Sequence, residues 1–214
     1  MRLKLPHNMN SSRRRFITAI AAIPLFMALP GRASTGFSIH KLVGNVYVNN
    51  RLAGMGTLIR PGSNIVVADG GELVMSMHGD AFLLRSGSAL EIAGKNNLFV
   101  SGLRLLTGAM LAVFDKRKTP VHIVTSTATI GIRGTGVYVD SSPHALYTCT
   151  CYGETDLTIG HNTSHISAIH HSANKVSADA DGLMAMHAME VAGHTDDELR
   201  MLEALVGRKP SFDA

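Results

Sequence analysis

From Gly44 onward, short apolar runs alternate with turn-forming residues: NVYV, NIVVA, ELVMSM, AFLLR, ALEIA, NLFV and AMLAVF. Glycines at 44, 54, 62, 70, 79, 87, 94, 102 and 108 separate them at intervals of about eight residues, the spacing of short strands joined by turns. The 3.6-residue period of a helix is missing from these runs. They predict an all-β body, a β-sandwich or a β-solenoid-like stack of many short strands. Asn49-Asn50 and Asp69-Gly70-Gly71 supply residues that tolerate positive φ, and Arg60-Pro61-Gly62 joins a fixed φ to a flexible successor. VHIVT, TATIGI, VYVD and HALYTCTC continue the β pattern to Ile159.

The pattern then changes. Ala, His, Met and Asp fill Ser177 to His194 without alternation, which reads as irregular or partly helical chain. A short helix closes the sequence. Thr195 and Glu198 form a capping-box pair, and Leu199, Leu202, Leu205 and Val206 make one apolar face. Gly207 and Pro210 stop it. So short a helix is marginal in isolation, and its stripe is expected to dock on the β body. The division is residues 1–33, a β domain over 34–176, and an irregular tail over 177–214 ending in the helix.

Charge distinguishes the first part from the rest. The chain has 214 residues and a formal net charge of +4, yet six of its 20 basic residues and none of its 16 acidic ones lie before Ser34. The remainder is slightly acidic, which removes the general phosphate attraction a nucleic-acid binder needs. Ser12-Arg13-Arg14-Arg15-Phe16-Ile17, the apolar stretch Ile17 to Leu29 and the small residues of Gly31-Arg32-Ala33 read as a twin-arginine-type signal peptide cut before Ser34. The apolar stretch is shorter than the ~20 residues of a spanning helix. A periplasmic protein without a membrane helix in its mature chain is expected.

One stretch invites a phosphate-loop reading. Gly131-Ile132-Arg133-Gly134-Thr135-Gly136 has neither the dinucleotide nor the Walker spacing, and no helix pattern follows it. Three glycines suit a sharp corner. Arg133 there can donate hydrogen bonds to carbonyls of neighbouring turns or receive a carboxylate or phosphate from a partner. Arg133, Gly134 and Thr135 are therefore the candidate binding residues.

TSTATIGIRGTGVYVD resembles the R-G-T centred motif of the FecR domain family. GNVYVNNRLAGMGTLIRPGSNIVVADGGELVMSM and AFLLRSGSALEI are similar to that family's opening, and GLRLLTGAMLAV to the strand pair before the motif. The resemblance covers Gly44 to Ile159. It implies an all-β periplasmic domain of the kind that relays an iron-siderophore signal from an outer-membrane transducer to a sigma-factor system. Such regulators carry an anti-sigma segment and a membrane helix ahead of the domain, where this sequence has an export signal. The expectation is a stand-alone exported FecR-like domain.

The remaining chemistry sits in YTCTCYGE. Cys149 and Cys151 are the only cysteines, and on a strand they share one face with Thr150 on the other. Seven of the 11 histidines lie between His144 and His194. Thiolates with imidazoles suit zinc, copper or haem iron, and Cys149, Cys151, His170 and His171 are the ligands to test first. C-x-C with distant histidines is not a recurrent zinc pattern; a small disulfide ring and a separated thiol pair remain open. Met184, Met186 and Met189 read as fillers of an irregular core, with a soft copper pocket beside His187 as the alternative.

No nucleophile elbow, catalytic triad or paired-carboxylate motif is visible. The sequence therefore points to a non-enzymatic exported binding or sensory domain with a protein or envelope partner. The alternative is a metal-binding, haem-binding or thiol-redox protein built on the cysteine and histidine cluster.

Overall fold

The structure is a computed structural model that describes residues 37–95 and 99–213. The signal-peptide reading of residues 1–33 lies outside the described residues. The rest is an all-β body of two packed sheets with a short C-terminal helix, the sandwich of the two expected architectures.

In the first sheet β3 (Arg51–Leu52), β2 (Val46–Val48), β4 (Asn64–Val67) and β7 (Ala89–Lys95) lead to the first half of β8 (Phe99–Val113). It continues through β9 (Val121–Val124) and β10 (Thr129–Ile132) to the second half of β12 (Ala145–Ile159), with β13 (Asn162–Ala168) at the edge. The second sheet runs β1 (Ser38–Val43), β5 (Glu72–Met77), β6 (Asp80–Leu84), the second half of β8, then β11 (Gly136–Ser141). The first half of β12, β14 (Ser172–Ala178) and β15 (Met184–Met189) complete it. Pairing is antiparallel except between β8 and β9.

GLRLLTGAMLAV, read as a strand pair, belongs to one strand. β8 and β12 are both 15 residues long, and each leaves one sheet for the other at a glycine in its interior. At Gly108 (φ 82°) and Gly153 (φ 84°) the backbone adopts a conformation that L side chains rarely occupy. There is also no room for a side chain: a Cβ on Gly108 would lie 2.5 Å from Ser88 Cα, and one on Gly153 would lie 2.8 Å from Gly134 O.

A buried hydroxyl holds each bend. Ser88 Oγ donates to Ala109 O at 2.9 Å and accepts from Ala109 N–H at 3.0 Å. Thr135 Oγ1 donates to Glu154 O at 2.7 Å and accepts from Glu154 N–H at 3.2 Å. In both cases the clamp seizes the residue just after the bending glycine by both its N–H and its carbonyl, and Ala109 O also accepts from Arg85 N–H at 3.0 Å.

Strand alternation builds two apolar layers. Phe82, Leu84, Met110 and Ala112 face the core between the sheets, where Phe82 meets Phe37 and Phe114 edge-on at 5.5 Å each. Ala81, Leu83, Leu111 and Val113 face the other side of the second sheet, which α1 (Asp196–Leu205) covers. The expected capping box is present, with Thr195 as N-cap and Glu198 reaching back to it. Leu199 and Leu202 are fully buried, each stabilising the docked helix by about 2 kcal/mol. Leu205 and Val206 pack partly buried beside them.

Part of the tail departs from its irregular reading. Met184–Met189 is a strand, paired in register with β14. Both of its faces are largely exposed, so no apolar alternation was needed and none is present. The methionines are consequently not core fillers: Met184, Met186 and Met189 are 38%, 37% and 48% exposed. Alternation also puts Met186 and His187 on opposite faces, so the imagined copper pocket does not converge.

Replacing the bend glycines tests this architecture. Gly160 (φ 58°) has open space around it, so Gly160→Ala should cost only the backbone strain, about 1–2 kcal/mol. Gly108→Ala and Gly153→Ala add a backbone clash and should lose about 3 kcal/mol or more in urea unfolding. Equal losses at all three positions would contradict the strand-switching role.

Candidate metal centre

Strand β12 brings the two thiols to one place. Its first half is paired on both sides, Cys149 opposite Tyr138 of β11 and Ala173 of β14, and both cysteines are fully buried beneath the C-terminal segment. They are free thiols. Two residues along a strand span about 6.6 Å, against the ~3.5–4.5 Å between Cβ atoms that a disulfide needs. A ring between Cys149 and Cys151 would therefore break the ladder.

Two imidazoles converge on the sulfurs. His171 sits in the turn before β14 at φ 55°, a conformation usually left to glycine or asparagine, and its N–H donates to Cys151 O at 2.8 Å. This local strain aims Nδ1 at Cys149 Sγ, 3.5 Å away. His194, from the loop ahead of α1, lies with Nε2 at 3.2 Å from Cys151 Sγ and 3.4 Å from His171 Nδ1. Its ring stacks on Tyr138 at 4.8 Å. One donor atom from each of Cys149, Cys151, His171 and His194 lies within 4.8 Å of the other three.

The outward nitrogens fix the tautomers. His171 Nε2 donates to Asp196 Oδ1 at 2.8 Å, and His194 Nδ1 donates to Ala192 O at 3.0 Å. In neutral rings that leaves a lone pair on His171 Nδ1 and another on His194 Nε2, both pointing into the cluster beside the thiols. These nitrogens need a thiol proton or a metal cation beside them, or a second ring proton that donates to the Cys149 sulfur. A carboxylate behind one ligating histidine and a backbone carbonyl behind the other is the usual outer support of a metal site. Spacing agrees: around a tetrahedral ion with bonds of about 2.3 Å to sulfur and 2.0–2.1 Å to nitrogen, S–N separations are near ~3.5 Å and N–N near ~3.4 Å.

The thiols are electrostatically unequal. A hydrogen bond from Cys151 is the main influence holding the Cys149 thiol well below its ordinary range, to about 4; burial opposes it and His194 and His171 assist. Burial pushes Cys151 up, reinforced by its hydrogen bond to the Cys149 sulfur. Asp196 stays below the usual carboxylate range because hydrogen bonds from His171 and His170 outweigh its burial.

Of the four residues singled out as ligands from the sequence, Cys149, Cys151 and His171 meet in this cluster. His170 does not join it. Its Nε2 instead donates to Asp196 at 3.1 Å, in an outer group with His171. His194 completes the set and was missed, since it lies 43 positions from Cys151 and no spacing rule connects them. Phe212 lies over the outer side, 4.5 Å from His170 and 5.7 Å from Tyr152.

The R-G-T residues lie elsewhere, in the link between β10 and β11 beside the bend of β12. Thr135 is fully buried and committed to Glu154, and a Cβ on Gly134 would strike Lys116. Arg133 is half exposed and makes an ion pair with Asp156 at 3.6 Å, not hydrogen bonds to turn carbonyls. Asp156 also accepts from His165 at 2.8 Å. The corner is thus the work of Thr135 and two glycines, and Arg133 is the member that faces solvent.

Among the described residues no helix is long and apolar enough to cross a membrane. Two crystal structures of a candidate anti-sigma factor from Parabacteroides distasonis ATCC 8503, at 1.65 Å and 2.50 Å resolution, are similar in fold. Each has a TM-score of 0.50 and 12% sequence identity, covering 59% of this chain and 60% of that protein. The match therefore spans about three fifths of the solved protein's length, and at this identity it bears on the fold alone. No family model matches the chain. No curated protein matches it either.

The unequal thiols give a direct check. In reduced, metal-free protein, thiolate absorbance should report one thiol already ionised at neutral pH, titrating near about 4, and a second that resists ionisation beyond the ordinary range. Two thiols titrating together at the ordinary value would contradict the arrangement.

Proposed function

We propose that this chain is an exported, non-catalytic sensory or binding domain of the FecR-like type that carries one tightly held metal ion on Cys149, Cys151, His171 and His194. The observation that carries the reading is the convergence of two thiols and two imidazoles with engaged outer nitrogens, all four donor atoms within 4.8 Å of one another, in a buried position. Two sulfur and two nitrogen donors favour zinc among abundant divalent ions. Four protein donors leave no open coordination position, which argues for a structural or sensing ion rather than a catalytic one.

The alternatives fit less well. Haem accepts protein donors only on its two opposite faces, whereas these four converge on one point. Dithiol–disulfide cycling within C-x-C is opposed by the extended, fully paired backbone that separates the sulfurs' anchors. This reading assigns the chain a role in signalling with a protein partner, the role that the name of its structural neighbour, a candidate anti-sigma factor, suggests. The motif resemblance to FecR domains supports the envelope as its setting.

Elemental analysis of anaerobically purified protein should find about one zinc per chain. Cobalt substitution should give a tetrahedral thiolate spectrum. Cys149→Ser, Cys151→Ser and His194→Ala should abolish tight binding, and Asp196→Asn should weaken it about 10- to 100-fold through the outer support of His171. His170→Ala should leave the ion in place. Protein that neither contains a metal nor takes up added zinc or cobalt would overturn the reading.

A further inference from the structure

We propose that the ion is a clasp: its occupancy decides whether the C-terminal segment, residues 190–213, stays seated on the second sheet. This rests on the metal reading above. Three ligands, Cys149, Cys151 and His171, belong to the sheet and its turn. The fourth, His194, immediately precedes Thr195, the N-cap of α1. A bound ion therefore ties the segment to the sheet at the point where the helix begins.

The segment needs such a tie. A helix of 10 residues does not persist by itself in water. Its other holds are Leu199 and Leu202, the partly buried Leu205, Val206 and Phe212, and polar contacts that include Asp196 with His170 and His171 and Tyr147 with Glu190 O and Ala192 N–H. Arg85 donates to Glu198 at 2.8 Å and to Gly193 O at 2.9 Å, Tyr152 donates to Glu203, and Arg208 donates to Gly79 O at 2.6 Å. None of the ligands belongs to the core between the two sheets. Emptying the site removes a cross-link from the cap and leaves that core intact. The effect is local release, which uncovers Leu83, Leu111, Val113 and Tyr138 on the second sheet.

Coupling of this kind is reciprocal: if the ion favours the seated cap, weakening the cap must weaken the ion's binding by the same factor. Leu202 lies two helical turns beyond His194, is fully buried, and offers no ligand atom. Leu202→Ala should lower zinc affinity about 5- to 150-fold. Arg85→Gln, a milder change on the sheet side, should lower it in the same direction if Leu202→Ala fails to fold.

The experiment is amide exchange on the purified full chain with and without zinc, with metal content measured on the same samples. Zinc should raise protection across residues 195–205 while β8 and β11 exchange equally slowly in both states. His194→Ala with zinc should match the wild type without it. Stoichiometric zinc with unchanged helix protection, or with protection spread evenly over the chain, would overturn the clasp and leave the metal reading standing. Absence of zinc binding would overturn both.

Discussion

Two buried hydroxyls gripping the residue after a bent glycine are what make this body a single unit. Ser88 holds Ala109 and Thr135 holds Glu154, and by doing so they allow β8 and β12 to serve both sheets. An ordinary sandwich joins its sheets by side-chain packing and loops; here two continuous strands pass between them. Without Ser88 the Ala109 N–H would lose its side-chain acceptor, and an unpaired buried N–H costs about 1–3 kcal/mol, while Ala109 O would keep the Arg85 N–H. The R-G-T corner has its physical meaning in this: the threonine clamps, the glycine permits close approach, and the arginine lies outside in an ion pair with Asp156.

The strand bent by that clamp also presents the thiols. Cys149 and Cys151 lie on β12 just before Gly153, on the face opposite the main core, so they open towards the C-terminal cap. A buried position alone would suit two inert cysteines. Two imidazoles whose lone pairs are turned inward by Asp196 and Ala192 O change the balance, since the cluster then concentrates electron density that only a proton or a metal cation can neutralise. Placing one of the donors on the cap is what joins the chemistry of the cluster to the mechanics of the segment.

Local signals were legible in the sequence and long-range ones were not. Turn glycines, the capping box at Thr195 and Glu198, and the shared face of Cys149 and Cys151 depend on neighbours within a few positions. Asn49 and Asn50 do adopt positive φ, at 50° and 62°, as their chemistry predicted. The length of β8 and β12 was hidden because an interior glycine looks the same whether it ends a strand or bends one. β15 was hidden because a strand wet on both faces carries no alternating pattern. His194 was passed over in favour of His170, whose neighbour His171 made it conspicuous, because only the docking of α1 brings the later histidine to the thiols.

The paired clamps belong to a larger correspondence. β5 pairs with β6, β6 with the end of β8, β7 with its start, and β4 with β7; likewise β9 pairs with β10, β10 with the end of β12, β11 with its start, and β8 with β11. Every member of the second set lies in the opposite sheet from its counterpart. Tandem duplication of one ancestral hairpin unit would leave such a plan, with β8 closing the earlier copy and opening the later. The two strands agree in backbone and differ in chemistry: where β12 carries Cys149 and Cys151 ahead of its bend, β8 carries Arg104 and Leu106.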